Sequence, residues 1–318
     1  MNKKRLIDID IAIGISIILV VFGHLLLDRS LPEWYIKSRE LIYKFHMPLF
    51  MFFSGFLMAI SYKPISNRVD YMRFIKKKAS KFIPAYLFFS ILFLVLETLR
   101  YGFTYNQLKI DLLDIIFSPS KAPAGFLWYI YILFQYYLIL PLIMWLVNKN
   151  WVYVLALGIL FQFFKFNSIL NLDLFSFYLL FIILGILAFK FLDLYYKLIT
   201  KFGWLFLLVF VGLLISNVFV ITKLILGLIS IPAIHYLAIQ IEKIKISDKL
   251  AKIGRYSYYI YLMNTLVMGV LYVVFITYFK LELSLFVLLA LFLCGIFCPI
   301  FIYNYIIKKI PFLNKIIQ

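Results

Sequence analysis

The chain has 318 residues, of which 65% are hydrophobic and 20% aromatic, and it carries a formal net charge of +18. Soluble domains are about half apolar, so this composition excludes an ordinary soluble fold and indicates a polytopic, all-α membrane protein. The basic residues flank apolar runs as topology signals do, so the charge does not predict a nucleic-acid partner.

Spanning a bilayer takes about 20 apolar residues per helix, and on this basis the sequence predicts a transmembrane bundle within one domain over 1–318. The ten predicted spans are 7–27, 42–62, 82–99, 126–147, 151–166, 174–191, 202–221, 223–241, 257–279 and 283–307. Most lysines and arginines fall on the side of Asn2–Arg5, which predicts that both termini are cytoplasmic.

The first predicted span carries Asp8 and Asp10 at its start and His24 at its end. Asp10 and His24 share a helix face, but about 21 Å of helix rise separates them, so they form no dyad. Ionisable residues inside spans are functional hypotheses by default. We therefore expect His24 to serve as a general base near the outer surface and the two aspartates to serve the cytoplasmic end, with Asp10 as a candidate catalytic residue. A hydrogen bond between helices is the alternative role for this histidine.

The second predicted span opens with His46 and carries Ser54 and Gly55 near its middle. The small residues predict close helix approach. Because two of the three histidines lie near the outer ends of neighbouring spans, we expect a site there that includes His24 and His46.

A basic segment follows, with Arg73, Lys77, Lys78 and Lys81. Cytoplasmic anchoring against anionic lipid explains these charges by itself. The functional alternative is a phosphate site for a nucleotide-like donor, and the composition leaves both interpretations open.

The fourth predicted span begins with Trp128, which fits an interfacial aromatic belt, and carries Gln135, which we expect to face the bundle. The longest outer connections, about 28–41 and 100–125, are predicted to be loops that cover an outer-facing site. Cys294 and Cys298 lie in one predicted helix without zinc-type spacing, so no metal site is predicted.

Five segments together resemble the integral-membrane acyltransferase family, acyltransferase family 3, in order and spacing. They are DIAIGISIILVVFGH at 10–24, FHMPLFMFFSGFLM at 45–58, KKKASKFIPAYL at 76–87, LWYIYILFQYYLILPLI at 127–143 and LAKIGRYSYYIYLMN at 250–264. The sugar O-acetylases of exopolysaccharide and lipopolysaccharide assembly are the most similar subgroup.

The resemblance implies a multi-pass enzyme of the bacterial cytoplasmic (inner) membrane. Its implied donor is acetyl-CoA or another acyl-CoA, bound as a co-substrate with no tightly bound cofactor. Its implied acceptor is a sugar hydroxyl of a surface glycan or a lipid-linked precursor. His24 is the implied catalytic residue, and the resemblance places the basic segment near the CoA phosphates. For the transfer step we expect Ser54 or His46 to donate a hydrogen bond to the oxyanion.

Two positions depart from the family pattern. The family usually has Arg or Lys where this chain has Ile13, and often has His where this chain has Asn264. We expect an acceptor site or a structural role for a group of five residues, Ser54, Gly55, Trp128, Gln135 and Asn264. Eleven residues are nearly three helix turns, so a cation at position 13 would share the face of His24 but lie about 16 Å deeper. It would reach the donor or Asp10 instead. We therefore expect Asp10 either to find another basic partner on a neighbouring helix or to be protonated.

Two alternatives to an active O-acyltransferase stay open. Ile13 and Asn264 favour a catalytically degenerate family member that binds glycan or assists polysaccharide assembly. A transporter of lipid-linked sugars is disfavoured, because the sequence shows no paired halves with matching broken helices.

Overall fold

The structure, a computed structural model, describes residues 6–25, 32–216 and 222–317. Asn2–Arg5 and the loop residues Asp28 and Arg29 lie outside the described residues. Within the described ranges the regular structure is entirely helical, which confirms the all-α fold class. The α-helices are α1 Ile7–Gly23, α2 Glu33–Tyr43, α3 His46–Ser61, α4 Arg68–Tyr101, α5 Tyr105–Phe117, α6 Trp128–Leu160, α7 Leu172–Lys190, α8 Leu192–Ile215, α9 Lys223–Glu242, α10 Ser247–Arg255, α11 Ser257–Tyr272, α12 Leu285–Tyr305 and α13 Pro311–Ile317.

Eight helical stretches of the described chain are long and apolar enough to cross a membrane. The first predicted span appears as α1, with 17 described helical residues. The fourth and fifth predicted spans form one element, α6, which has non-helical backbone at Asn150. The Asn150 side chain accepts a hydrogen bond from the N–H of Val152 at 3.0 Å, as a helix cap does, so two helical segments meet there. The count of ten spans and the position of the termini stay predictions.

Three segments predicted as connections are largely helical. α2 occupies most of 28–41, α5 lies within 100–125, and α4 begins at Arg68, where Asn67 caps it. Pro84 therefore lies inside α4 rather than at the start of a helix. α2, α5 and the first turns of α4 were predicted as connections because these stretches carry polar residues and lack the long apolar run that marks a span.

The chain divides into two compact units. The first unit is Met1–Ser54 with Ala188–Ile306, and the second is Gly55–Leu187 with Ile307–Gln318.

In the first unit, α1 packs against α9, α10, α11 and α12. The closest approach is between α1 and α10. A Cβ on Gly254 would overlap the carbonyl oxygen of Asp10, and a Cβ on Gly14 would overlap that of Leu250. The two backbones touch because neither glycine has a side chain, and this contact fixes the end of α1 that carries Asp10.

In the second unit, α4 packs against α6, and glycines again mark close contacts. A Cβ on Gly55 in α3 would overlap the backbone of Ile182 in α7, which is the close approach that its size predicts. Gly158 in α6 lies against Leu180 of α7. These contacts join α3, α6 and α7 within the unit.

The α1–α10 contact predicts a large stability difference between two Gly→Ala variants. Gly254→Ala forces the backbones apart and should destabilise the protein by about 1–3 kcal/mol. Gly269→Ala in α11 is the matched control, because a Cβ there meets nothing within 4 Å. Thermal unfolding in detergent measures both, and equal melting temperatures for the two variants would contradict the packing described.

Candidate active site

His24 follows the last residue of α1, and its partner comes from α11. Its Nδ1 lies 3.2 Å from Oδ1 of Asn264. Asn264 is fully buried, whereas His24 keeps part of its surface exposed. Asn264, at which the chain departs from the family pattern, is therefore in direct contact with the predicted base.

The orientation of the Asn264 amide is fixed by its own helix. Its Nδ2 donates to the carbonyl oxygens of Ile260 at 2.9 Å and Tyr261 at 2.8 Å, so the amide oxygen faces His24. An amide oxygen only accepts hydrogen bonds, so Nδ1 of His24 must carry the proton. In the neutral ring, Nε2 then holds the lone pair that a general base requires.

Two tyrosines of α2 hold the turn of α1 that leads to His24. Tyr35 donates to the carbonyl oxygen of Phe22 at 2.8 Å, and Tyr43 donates to that of Gly23 at 2.7 Å. Carbonyls in the last turn of a helix have no partner within the helix, so these hydroxyls cap α1. Arg39 lies 5.9 Å from both tyrosine rings. The segment predicted to cover the site thus holds the end of α1 that precedes His24, the predicted base.

His46 packs against this cap and is not exposed at the protein surface. Its ring is 5.0 Å from that of Tyr43, it is buried, and its Nδ1–H donates to the carbonyl oxygen of Ile42 at 2.8 Å. Ser54, the other predicted oxyanion donor, donates a hydrogen bond to the carbonyl oxygen of Phe50 in its own helix at 2.8 Å. This placement favours positioning roles for both side chains.

Asp10 has the kind of partner that we expected. Nη1 of Arg255, the last residue of α10, lies 3.7 Å from Oδ2 of Asp10. The Arg255 side chain is 37% exposed, while that of Asp10 is 10% exposed. Asp10 and Ile13 are three residues apart and lie on the same face of α1. A cation from α10 thus reaches the region of α1 where the family carries its own.

A surface cavity of about 620 Å³ lies at the same end of the first unit. It is lined by Lys252, Tyr256, Phe297, Ile300, Phe301, Asn304 and Tyr305. The Tyr256 hydroxyl donates to Asn304 at 3.1 Å. Lys252 is one helical turn before Arg255, so the cavity combines an apolar wall with a basic edge.

The sequence reasoning missed a buried polar cluster around Asp8. Oδ2 of Asp8 accepts from Nε2 of His235 at 2.8 Å and from the hydroxyl of Tyr196 at 2.5 Å. The hydroxyl of Tyr195 lies 2.6 Å from Nδ1 of the same histidine, which is fully buried. The available signal was a lone histidine in an apolar span, because a buried ionisable group requires partners. This cluster joins α1 to α8 and α9.

The predicted donor-binding residues lie on α4 in the second unit. Arg73 pairs with Asp70 at 3.0 Å on an exposed surface. Lys78 lies 3.9 Å from the ring centroid of Tyr137, and Lys81 lies 5.8 Å from that of Phe82. Lys77 is exposed. The group is thus a basic helix face with aromatic contacts.

The predicted residues of α6 also lie in the second unit. The Trp128 ring stacks on that of Tyr178, with 5.3 Å between centroids, and Nε2 of Gln135 donates to the carbonyl oxygen of Leu170 at 3.0 Å. Gln135 therefore faces the protein, as expected. Over the described residues, no group of three or more His, Cys, Asp and Glu side chains is arranged to hold a metal ion.

Comparison with known proteins decides the family. A family model described as an acyltransferase domain matches residues 6–307, which is nearly the whole chain. The chain belongs to this acyltransferase family. The resemblance carried by the five sequence segments is therefore confirmed, and the protein is a multi-pass membrane acyltransferase.

Among curated relatives, nodulation protein NolL of Sinorhizobium fredii (strain NBRC 101917 / NGR234) is 30% identical to this acyltransferase over 146 residues. The aligned stretch covers 44% of this chain and only 37% of NolL. No solved structure gives a significant match to the chain. The arrangement of His24, Asn264, Asp10 and Arg255 thus rests on this chain's own geometry.

Proposed function

We propose that this acyltransferase moves an acyl group, acetyl above all, from cytoplasmic acyl-CoA to a sugar hydroxyl of a surface glycan or a lipid-linked precursor. His24 is the general base. The observation that carries the proposal is the contact between Nδ1 of His24 and the amide oxygen of Asn264, which leaves Nε2 as the basic nitrogen. The partial exposure of His24 supports contact with a substrate.

The chemistry uses one proton acceptor and one acyl carbon. Nε2 of His24 accepts the proton of the sugar hydroxyl while the sugar oxygen attacks the thioester carbonyl carbon. The new C–O bond forms and the C–S bond of the thioester breaks. Nε2 then passes its proton to the thiolate of CoA. Asn264 holds the ring in the required tautomer throughout, as a positioning residue. An acyl-histidine intermediate on Nε2 is the alternative route to the same product.

Arg255 supplies the cation that the family carries at position 13. The Asp10–Arg255 pair is partly exposed, and such pairs contribute about 0–1 kcal/mol to stability. A contribution to the free energy of folding therefore does not account for this ion pair. An exposed guanidinium beside Lys252 and the cavity is suited to the phosphates of the donor. The basic face of Arg73, Lys77, Lys78 and Lys81 stays a second predicted donor contact.

Removing the base should abolish acylation. His24→Ala should lower transfer by about 10²–10⁴-fold, the usual contribution of a positioned base. Mass spectrometry of the host's surface glycan, in strains that carry the wild type, the variant or no gene, measures the acyl esters. Ser38→Ala is the matched control, because its hydroxyl bonds only within α2, to Trp34. His24→Ala with wild-type acylation would contradict the mechanism.

The role assigned to Arg255 predicts a rescue. Arg255→Ala should raise the KM for acyl-CoA with little change in melting temperature, and Ile13→Arg added to it should restore activity. Steady-state transfer assays at varied acyl-CoA concentrations measure both effects. Loss of folding in Arg255→Ala, or no rescue, would contradict this assignment. A wild type without turnover that gains it from Ile13→Lys alone would instead identify a degenerate enzyme.

A further inference from the structure

We propose that Gln135, Asn171 and Asp173 form a binding site for sugar hydroxyl groups in the second unit. The inference rests on the proposed transfer to a sugar and names the residues that recognise it. Over the described residues, three buried side-chain atoms lack a hydrogen-bond partner, and they belong to these three residues: Oε1 of Gln135, Nδ2 of Asn171 and Oδ1 of Asp173.

The three atoms belong to one small region. Gln135 reaches it from α6 by donating to the carbonyl oxygen of Leu170 at 3.0 Å. Asn171 follows directly, and Asp173 begins the next helix, α7. Buried polar groups without partners are rare in folded proteins, because each one loses its bonds to water. Three such atoms around one turn indicate that a ligand completes the bonding.

The amide orientations are fixed by backbone groups. Oδ1 of Asn171 accepts from the backbone N–H of Ser120 at 3.4 Å and from its hydroxyl at 3.0 Å, and a backbone N–H only donates. Nε2 of Gln135 faces a carbonyl oxygen, which only accepts. The unpartnered atoms are therefore one donor, Nδ2, and two acceptors, Oε1 and Oδ1. A hydroxyl group both donates and accepts, so sugar hydroxyls match this set.

The backbone of the same turn is strained. Leu170 and Asn171 have φ values of 56° and 52°, the left-handed region that residues with a Cβ rarely adopt. Such strain is concentrated at binding and catalytic sites, where the surrounding structure holds it. Here the strained turn carries the Asn171 side chain, which is fully buried.

An aromatic surface lies on the same face of α6. Trp128 is seven residues before Gln135, which is about two turns and about 10 Å along the helix. One face of its ring stacks on Tyr178, and the side chain keeps part of its surface exposed. Binding sites combine an apolar wall with a few placed polar groups. Trp128 together with Gln135, Asn171 and Asp173 has that composition.

The test measures binding separately from catalysis. Saturation-transfer NMR on the detergent-purified protein, with methyl glucoside, galactoside, rhamnoside and fucoside as probes, detects weak sugar binding. We expect at least one glycoside to bind the wild type and His24→Ala equally. Asp173→Leu and Gln135→Met should each weaken that binding at least tenfold. Gln162→Met is the matched control, because the Gln162 amide donates to Phe177 at 2.9 Å in the same unit.

Two results of the binding measurement overturn the inference. One is that no glycoside binds the wild type while Asp173→Leu raises the melting temperature, which assigns the three atoms to structural water alone. The other is that the variants bind glycosides as the wild type does. Sugar binding without His24-dependent transfer would reject the proposed function and leave this site standing. If Asp173→Leu leaves acyl transfer unchanged, the sugar site is rejected and the proposed function stands.

Discussion

The first unit is organised by the need to satisfy three ionisable side chains on one apolar helix. Asp8, Asp10 and His24 all lie on or directly after α1, a helix whose other residues are almost all apolar. Each receives its partner from a different helix: Asp8 from α9, Asp10 from α10 and His24 from α11. Unsatisfied polar groups in a bilayer cost several kcal/mol each, so these contacts determine which helices surround α1. Glycines at the α1–α10 contact make the closest of these approaches possible.

The three contacts differ in what they contribute. Asp8 and His235 are both buried, and with Tyr196 they act as a structural junction of α1, α8 and α9. The Asp10–Arg255 pair leaves its cation partly exposed and next to a cavity. The His24–Asn264 contact joins a buried amide to a partly exposed imidazole. Along α1, the polar groups thus change from a buried junction at Asp8 to a partly exposed imidazole at His24, where we propose that the chemistry takes place.

From the sequence we could predict how residues are spaced along a single helix. The side-chain contacts between neighbouring helices could not be predicted in the same way. Helical spacing separated Asp10 from His24 correctly, and the loss of a cation at position 13 predicted that Asp10 needs another partner, which Arg255 provides. Asn264 was predicted as an acceptor-site or structural residue, but its contact with His24 was not, because periodicity does not reveal which helices touch. His235 was missed for the same reason. α2 was predicted as a loop because it has no long apolar run, although its tyrosines cap α1.

The proposed mechanism depends on one proton, which His24 carries on Nδ1, where the amide oxygen of Asn264 accepts it in a hydrogen bond. The chain has three histidines, so solid-state ¹⁵N NMR of protein labelled only at histidine resolves each ring, and a His24→Ala sample assigns the signals. At neutral pH we expect a protonated Nδ1 and an unprotonated Nε2 for His24, and loss of that preference in Asn264→Leu. A proton on Nε2, with Nδ1 unprotonated, would contradict it.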